Sequence, residues 1–522
     1  MRSLLFFILI SVLFSCSQVD YGSEEILRLE IPEESSKQLQ IWASQALKQG
    51  VITNDLKKYV PAKIRIDSAT FDAKIRLKGD WTDHLKGGQW SLRIKLLHGT
   101  QYRGYSTFSI MEPSTRNFMD EWFLHKVMED QNVLTTRFDY TPVEINGEDM
   151  GVYAIEEHFT EDLIVHNLRT LGPILKISED GIWEVITREK ETKRTLLDSL
   201  PIFEASVISP FEKKKVLKSK FLKEGFERGQ NLLYAYMSGL VQIDSIIKVK
   251  PLAKMYAVGD LGKILHGLDA HNQRWHYDFA SDRLEAIAYD LVGNKRLEDS
   301  QRKPLYGLKS DHSLDINKRK DIVPYLPYNS NDFLTSYIHA LSDITRKAYL
   351  DSILTELDPQ IERCEKLIQM DKPDYAFETD FYYHNAYRIK DELKRFEEPK
   401  QWPNPRFHLG PWHAYADTTI AEPFEHVSLN AYWDRSDSVL FLENFYADPV
   451  AIVGYSIDNL RHKIDTLTLH SFNPDLRPLA TIKFPPVDEL YFVTSIQGAE
   501  FKTEVYPWRH PAQPKSHNLQ VK

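Results

Sequence analysis

The period of the hydrophobic positions changes several times along this chain, and each change predicts an element. Residues 35–50 carry an apolar stripe at helical spacing and end on Gly50, which reads as a short amphipathic helix. From Ala62 the period falls to two. Phe71, Ala73, Ile75 and Leu77 alternate with Asp72, Lys74, Arg76 and Lys78, the pattern of a half-buried strand. Lys78-Gly79-Asp80-Trp81 breaks it. After Lys86-Gly87-Gly88, Trp90, Leu92, Ile94 and Leu96 alternate with Ser91, Arg93 and Lys95. Two strands thus carry basic side chains on their polar faces, and the pattern alone favours a solvated face over a phosphate-facing one. Ser114 or Thr115 is placed to cap a helix reaching about Asp130. Strands at 140–145 and 150–155 flank Asn146-Gly147, the strongest local hairpin signal in the sequence. Residues 174–177 read as a short strand. The stretch 190–262 reads as helical, with FEKKKVLKSKFLKEGFERGQ as a solvated helix face and 251–262 as an apolar-striped helix.

That last helix delivers the chain into HGLDAHNQRWHYDFASDRLEAIAYD, residues 266–290. The pattern predicts a polar loop holding Asp269 and Asn272, a strand at 275–279, a turn at Ala280-Ser281-Asp282, and a strand at 284–289 that runs out at Asp290. Phosphoryl transfer of the kinase type uses parts in this order. One aspartate orients or accepts the nucleophile's proton, an amide oxygen helps to hold a metal ion, and a later aspartate chelates it. Asp and Asn are also ordinary turn residues, so the spacing alone decides nothing. His266, His271 and His276 lie five apart, which fits neither a helical metal pair nor one strand face. A Gly-x-Ser-x-Gly elbow is absent from the sequence, and acids are too numerous to single out a glycosidase dyad.

The two ends predict separate modules. A basic start, an apolar run at 4–14 and Cys16 resemble a bacterial lipoprotein signal, with Cys16 as the lipid-bearing residue after cleavage. The alternative is an ordinary secretory signal cleaved nearby. Residues 1–16 are then the signal, and 17–60 a polar tether with a short helix. Ser17, rather than Asp, after the cysteine favours the outer membrane or the cell surface. After Lys400, Trp402-Pro403-Asn404-Pro405 reads as a linker. Residues 406–510 hold six short β-rich runs separated by turn residues, which suggests a β-sandwich-like domain.

Composition narrows the classes. A hydrophobic fraction of 42% and an aromatic fraction of 12% describe a globular chain. A net charge of −10 argues against a general nucleic-acid binder. Cys364, in a helical stretch, has no partner once Cys16 carries lipid, so no disulfide framework is expected.

Lys78-Gly79-Asp80-Trp81, WSLRIKL at 90–96, VEINGEDMGVYAIEEHF at 143–159, ILK at 174–176 and the stretch 266–290 together resemble the CotH kinase family, the atypical kinases related to spore coat protein H. Ile145, Asn146, Gly147, Gly151, Tyr153 and Glu157 carry its most recognisable pattern, with Glu156 one place off. The resemblance covers roughly 60–300, reaching about 370 with trailing helices, and implies an α+β, two-lobed atypical protein-kinase-like fold at 61–400, ahead of the β-sandwich-like domain. It implies ATP with Mg²⁺ (or Mn²⁺), and phosphate passed to a protein hydroxyl at the cell envelope. Asp269 would stand beside the reacting hydroxyl. Asp290 would bind the metal, and Asn272 would be a second metal or loop-ordering residue. Arg93, Lys95 and Lys176 would be candidates for the phosphates, while Glu156 or Glu157 would pair a lysine or meet the ribose. Many members end the second strand in Trp-Asp-x-Asp. Here Asp290 is followed by Leu291-Val292-Gly293, with no second acid, which puts two-metal binding in question. Because ATP is scarce outside the cytoplasm, a second expectation stands beside the enzyme. In it, an inactive kinase-like lipoprotein binds or assembles envelope proteins through its C-terminal domain.

Overall fold

The computed structural model describes residues 21–193, 206–238, 243–264, 266–293, 323–394 and, with short breaks, 429–506. The fold is α+β. Seven strands, β1 (Leu27–Glu30), β2 (Val60–Ile66), β3 (Ala69–Leu77), β4 (Leu92–Leu96), β5 (Thr107–Met111), β6 (Phe138–Ile145) and β7 (Glu148–Glu157), close into a barrel in the order β1-β2-β3-β4-β5-β7-β6. The period of two accounts for it. Ala73, Ile75, Leu77, Leu92, Ile94, Ile110 and Ile155 share one buried apolar core, and the residues between them point outward. Helix α1 (Glu33–Gln49) ends at Gly50 in the left-handed conformation and adds Leu39, Ala43 and Ala46 to that core.

Two sequence expectations change here. Residues 17–60 are not simply a tether with a helix, because β1 lies within them and closes the barrel, antiparallel to β2 and parallel to β6. At four residues it is too short to show a period. The helix expected from Ser114 or Thr115 is also broken. Pro113–Arg116 form a 3₁₀ turn, Asn117 and Phe118 take positive φ of 51° and 53°, and α2 (Met119–Asp130) begins after them without a side-chain cap. Contacts override the local preference: the Tyr140 hydroxyl donates to the Phe118 carbonyl at 2.6 Å, and the Asn117 amide donates to the Gly293 carbonyl.

The next part of the chain adds α3 (Glu161–His166), β8 (Ile174–Ile177), α4 (Asp180–Thr192), β9 (Ile208–Pro210), α5 (Lys213–Lys218), α6 (Lys220–Ser238) and α7 (Val249–Leu261). It continues with the hairpin β10 (Arg274–Asp278) and β11 (Arg283–Ile287), then α8 (Asn331–Ile344), α9 (Lys347–Asp371) and α10 (Asp380–Leu393). Four of the strands form an antiparallel sheet in the order β11-β10-β8-β9. The charged stretch at 211–230 is two helices parted at Ser219. Phe226, Leu232, Leu233 and Tyr236 of α6 sit in the same core as Trp275, Leu175 and α7. Helix α9 reaches back to the barrel. Arg363 pairs with Glu24 and Asp139 at 2.8 Å each, and Asp371 accepts the Val152 backbone N–H at 2.7 Å.

At the C-terminal end, β12 (Leu429–Asp434), β13 (Val439–Asn444), β14 (Val450–Ile457), β15 (Leu460–Leu469), β16 (Ala480–Lys483), β17 (Tyr491–Ile496) and β18 (Ala499–Tyr506) form one sheet in the order β15-β14-β17-β18-β12-β13-β16. Tyr455 of β14 meets Phe484 beside β16, with ring centroids 5.3 Å apart, although four strands separate the two in the sheet. The sheet therefore folds over on itself around Ala431, Leu442, Ile452 and Phe492. Strand β18 extends the β-rich runs read from the sequence. Cys16, the signal and the linker at 402–405 lie outside the described residues. Among the described residues no helix is long and apolar enough to cross a membrane.

Candidate active site

The outer face of the barrel carries a polar row. Arg76 pairs in register with Arg93, Arg93 with Ser109, and Ser109 with Glu156, across β3, β4, β5 and β7. A barrel interior is apolar, so such a row belongs outside; here it is covered. Arg93 is 6% exposed, its Nε donates to Ser109 Oγ at 2.7 Å, and Nη1 meets the His158 ring. Lys78 follows Arg76 on the same face. Its Nζ donates to Glu156 Oε2 at 3.0 Å, and both residues are buried. Burial pushes the Lys78 ammonium down to about 8, helped by the nearby Arg116 and opposed by Glu156. Burial works against the Glu156 carboxylate, but Lys78 and Arg116 hold it below its ordinary range. Its second oxygen, Oε1, is buried and has no hydrogen-bond partner.

Asp290 faces this row from the sheet side. It takes a positive φ of 55° just past β11. A non-glycine residue held there costs of order 1–3 kcal/mol and points to an over-determined position. Glycine makes the close approach possible. A Cβ on Gly267 would lie 2.5 Å from the Tyr289 carbonyl and 2.8 Å from that of Asp290, so only glycine lets the 266–272 loop lie against Asp290. Arg116 Nη1 donates to Asp290 Oδ1. On Oδ2, His266 Nδ1 stands at 2.5 Å and the Asn272 amide at 3.1 Å. Burial alone would raise the Asp290 carboxyl, yet Arg116 and His266 hold it well below the usual range. Reciprocally, His266 is raised: its burial lowers it, and the Asp290 bond outweighs that. Glu121 of α2 fixes the next residue by accepting the Leu291 N–H at 3.0 Å.

A third group lies on β8 and β10. Lys176 and Arg274 are cross-strand partners, and Glu179 accepts from Arg274 at 2.8 Å. Lys176 is half-buried, and desolvation pushes its ammonium down.

The structure thus brings together Arg93, Glu156, Asn272 and Asp290 of the residues read from the sequence, with Lys176 on the neighbouring strand. Asp269 opens the 3₁₀ turn that carries Asn272, near enough to His266 to help raise it. Lys95 does not join them. It is exposed, facing Lys74 and Thr107 farther along β4. Glu157 pairs instead with Arg137 at 2.5 Å, which leaves Glu156 as the acid of the site. Three residues were not singled out as site residues by the sequence. Lys78 was visible as the last basic residue before a glycine break. Arg116 was hidden in an expected helix, and His266 in a spacing that matched no metal template.

The residues also allow a test for a divalent cation. Asp290 Oδ2, the Asn272 amide and His266 Nδ1 lie 2.5, 2.8 and 3.1 Å from one another. Neighbouring donors around Mg²⁺, with bonds of about 2.0–2.1 Å, are spaced about 2.9 Å apart. As it stands the set is closed by hydrogen bonds: Asn272 Nδ2 donates to the His266 carbonyl at 3.0 Å and to Asp290 Oδ2 at 3.1 Å, and His266 Nδ1 is bonded to Asp290. A cation there would displace these bonds, taking the Asp290 carboxylate and, with the amide turned over, the Asn272 oxygen. Among the described residues no group of three His, Cys, Asp or Glu side chains is arranged to hold a metal.

Fold and site define an α+β protein with a buried charge cluster between a closed barrel and an antiparallel sheet. Comparison of the sequence with protein-family models and with curated proteins returned no match.

Proposed function

We propose that this chain is an ATP-dependent phosphotransferase of the atypical, CotH-like kind, a two-lobed kinase-like domain acting on protein hydroxyls at the cell envelope. The observation that carries this reading is the meeting of the buried Lys78–Glu156 pair with Asp290, Asn272 and His266, through Arg116. Kinase-type transfer is mostly positioning and charge stabilisation, and it uses a lysine–acid pair opposite an aspartate and an asparagine. Lys78, Arg116 and Arg93 supply positive charge for phosphate oxygens, and Lys176 and Arg274 extend it along the sheet. When bound, Mg²⁺ (or Mn²⁺) on Asp290 and Asn272 would neutralise phosphate charge. The acceptor hydroxyl gains the γ-phosphoryl group, ADP leaves, and the hydroxyl proton passes to a base on the 266–272 loop, for which Asp269 is the candidate. A lipid anchor at Cys16 would hold the domain at the membrane, outside the cytoplasm.

Both oxygens of Asp290 already have protein partners, and this favours one second reading: a kinase-like domain without activity, whose C-terminal sheet binds envelope proteins. A thermal-shift titration of the full chain with ATP, GTP and ADP, each with Mg²⁺ or Mn²⁺, separates the two. A ligand at about 100 times its dissociation constant adds roughly 2.7 kcal/mol. The enzyme reading expects a shift that Asp290→Asn abolishes. A cooperative melt that no nucleotide–metal pair moves favours the binding reading.

A further inference from the structure

Three residues after α3, Asn167, Leu168 and Arg169, are placed in opposite ways. The Asn167 amide donates to the carbonyls of Thr135 at 3.0 Å and Leu163 at 2.9 Å. Arg169 donates to Glu285 at 2.8 Å and to the Asn132 carbonyl at 2.9 Å. Leu168, between these two anchored residues, takes a positive φ of 54° and is 91% exposed. A bulky residue is strained at such a φ, where glycine or asparagine sits at less cost. Leu168 therefore stands in water, strained and contributing little packing, on a segment pinned from both sides. Such a position points to a role outside the fold.

Other apolar side chains join it. Val165 is 59% exposed, Phe221 50% and Leu171 42%. Phe221, at the start of α6, stacks on Phe279 at 4.1 Å. A Cβ on Gly225, one turn further along α6, would lie 2.3 Å from the Phe279 ring and 3.1 Å from Pro173, so α6 passes against the segment that carries Leu171. Helix α5 is tied to α3 by Lys215 and Glu161 at 2.7 Å. These contacts gather Val165, Leu168, Leu171 and Phe221 on one surface. Residues 213–223 border it with six lysines and no acid, in a chain of net charge −10. Lys214, Lys215, Lys218 and Lys220 among them are exposed.

We infer that this surface docks onto an anionic lipid bilayer, with Leu168 entering the acyl boundary and the lysines meeting headgroup phosphates. A leucine standing almost free of the protein needs a partner that closes around it from every side. A fluid apolar layer does so without a matching cavity, and apolar side chains beside a run of lysines suit the interface of an anionic membrane. The inference depends neither on nucleotide binding nor on lipid at Cys16.

Vesicle flotation of the full chain tests it. The probes are vesicles of phosphatidylcholine alone and of phosphatidylcholine with about a third phosphatidylglycerol, so that any hold by the N-terminal apolar run, common to both, is subtracted. The anionic vesicles should bind the chain at least about tenfold more tightly, since each lysine near such a surface adds about fivefold. That preference should shrink as salt rises. Lys214→Glu with Lys218→Glu should remove it. Leu168→Asp should weaken binding to the anionic vesicles by about tenfold or more. Leu168→Gly should weaken it as well, yet leave the melting temperature unchanged or higher, because glycine relieves the positive φ. All three substituted positions are exposed, so the variants keep the fold. Equal binding to both vesicles, or a Leu168→Asp chain that binds as the parent does, would overturn the inference. A dimer in sedimentation equilibrium that Leu168→Asp dissociates, with no preference between vesicles, would overturn it too and assign the surface to a second copy of the chain.

Discussion

Two buried charge clusters lie on the same polar face of the β10–β11 hairpin, and they are finished differently. At the end away from the barrel, Glu285 accepts from Arg169 and Lys248 at 2.8 Å each, one oxygen apiece. Asp278 accepts from Lys248 at 2.8 Å, Ser281 at 2.7 Å and the Ala280 N–H at 3.1 Å. Every carboxylate oxygen there has a donor. At the barrel end, Lys78, Arg93, Arg116, Lys176 and Arg274 meet Glu156, Glu121, Glu179 and Asp290, while Glu156 Oε1 and Glu121 Oε2 have no hydrogen-bond donor. A closed cluster makes a hairpin rigid; an open, cation-rich one is suited to taking up an anion. Burial of charge alone does not tell the two apart, since both are buried. The completeness of carboxylate pairing does.

Mutation can break this comparison at either end. The largest expected effect is from Asp290→Ala, which leaves Arg116 buried without its main partner and should cost about 3–5 kcal/mol, measured by urea denaturation. Glu285→Ala at the closed end takes a carboxylate from Arg169 and Lys248, which keep Asn132, Asn167 and Asp278 as partners, and should cost about 2 kcal/mol. The nucleotide-induced melting shift should nevertheless survive, and its loss would mean that the two clusters are not separate. Replacing the open pair together, Lys78→Met with Glu156→Gln, should leave stability unchanged or raise it by about 1–4 kcal/mol while abolishing the shift. A double variant that is less stable but still binds would reverse the roles assigned to the two clusters.

Acidity gives a finer comparison. Lys78 is charged below about 8 and neutral above it, so ATP affinity should fall as pH rises through that value. Calorimetric titration between pH 7 and 9 reads this directly, and a flat profile would remove Lys78 from phosphate binding. The smallest effect is expected at Lys95. Lys95→Ala should change stability by no more than about 0.5 kcal/mol and leave the nucleotide shift as it was.

Much of this fold is legible in the sequence. The alternation at 71–77 and 92–96, the Asn-Gly hairpin and the 266–290 stretch all form the elements that their periods predict. Local pattern fails where distant contacts decide. Arg93 alternates with apolar neighbours as a solvated residue would, yet it is buried, because the second part of the chain covers the outer face of the barrel. Lys95, two residues on, has the same pattern and stays in water. Strand β1 has four residues and becomes a strand only through its neighbours on both sides. Arg116 leaves the helical path its sequence suggests for a carboxylate 174 residues away. Side-chain type and spacing could nominate Asp290 and Asn272. They could not show which cations would meet them.

Helix α9 has a mechanical consequence. Its bonds to Glu24, Asp139 and Val152 fasten β6, β7 and the entry to β1 on one flank of the polar row. On the other flank, near the end of β3, α4 is fastened through Asp180 to Asn54 at 2.7 Å and through Trp183 against Trp81 at 5.4 Å. The first flank is a long helix held by ion pairs; the second is a shorter helix held by the Asn54 amide, the Trp81 ring and the Lys190 ammonium, which donates to the Gly50 carbonyl at 2.6 Å. Two helices thus hold the barrel to the rest of the chain on either side of the polar row, α9 beside β7 and α4 beside the end of β3.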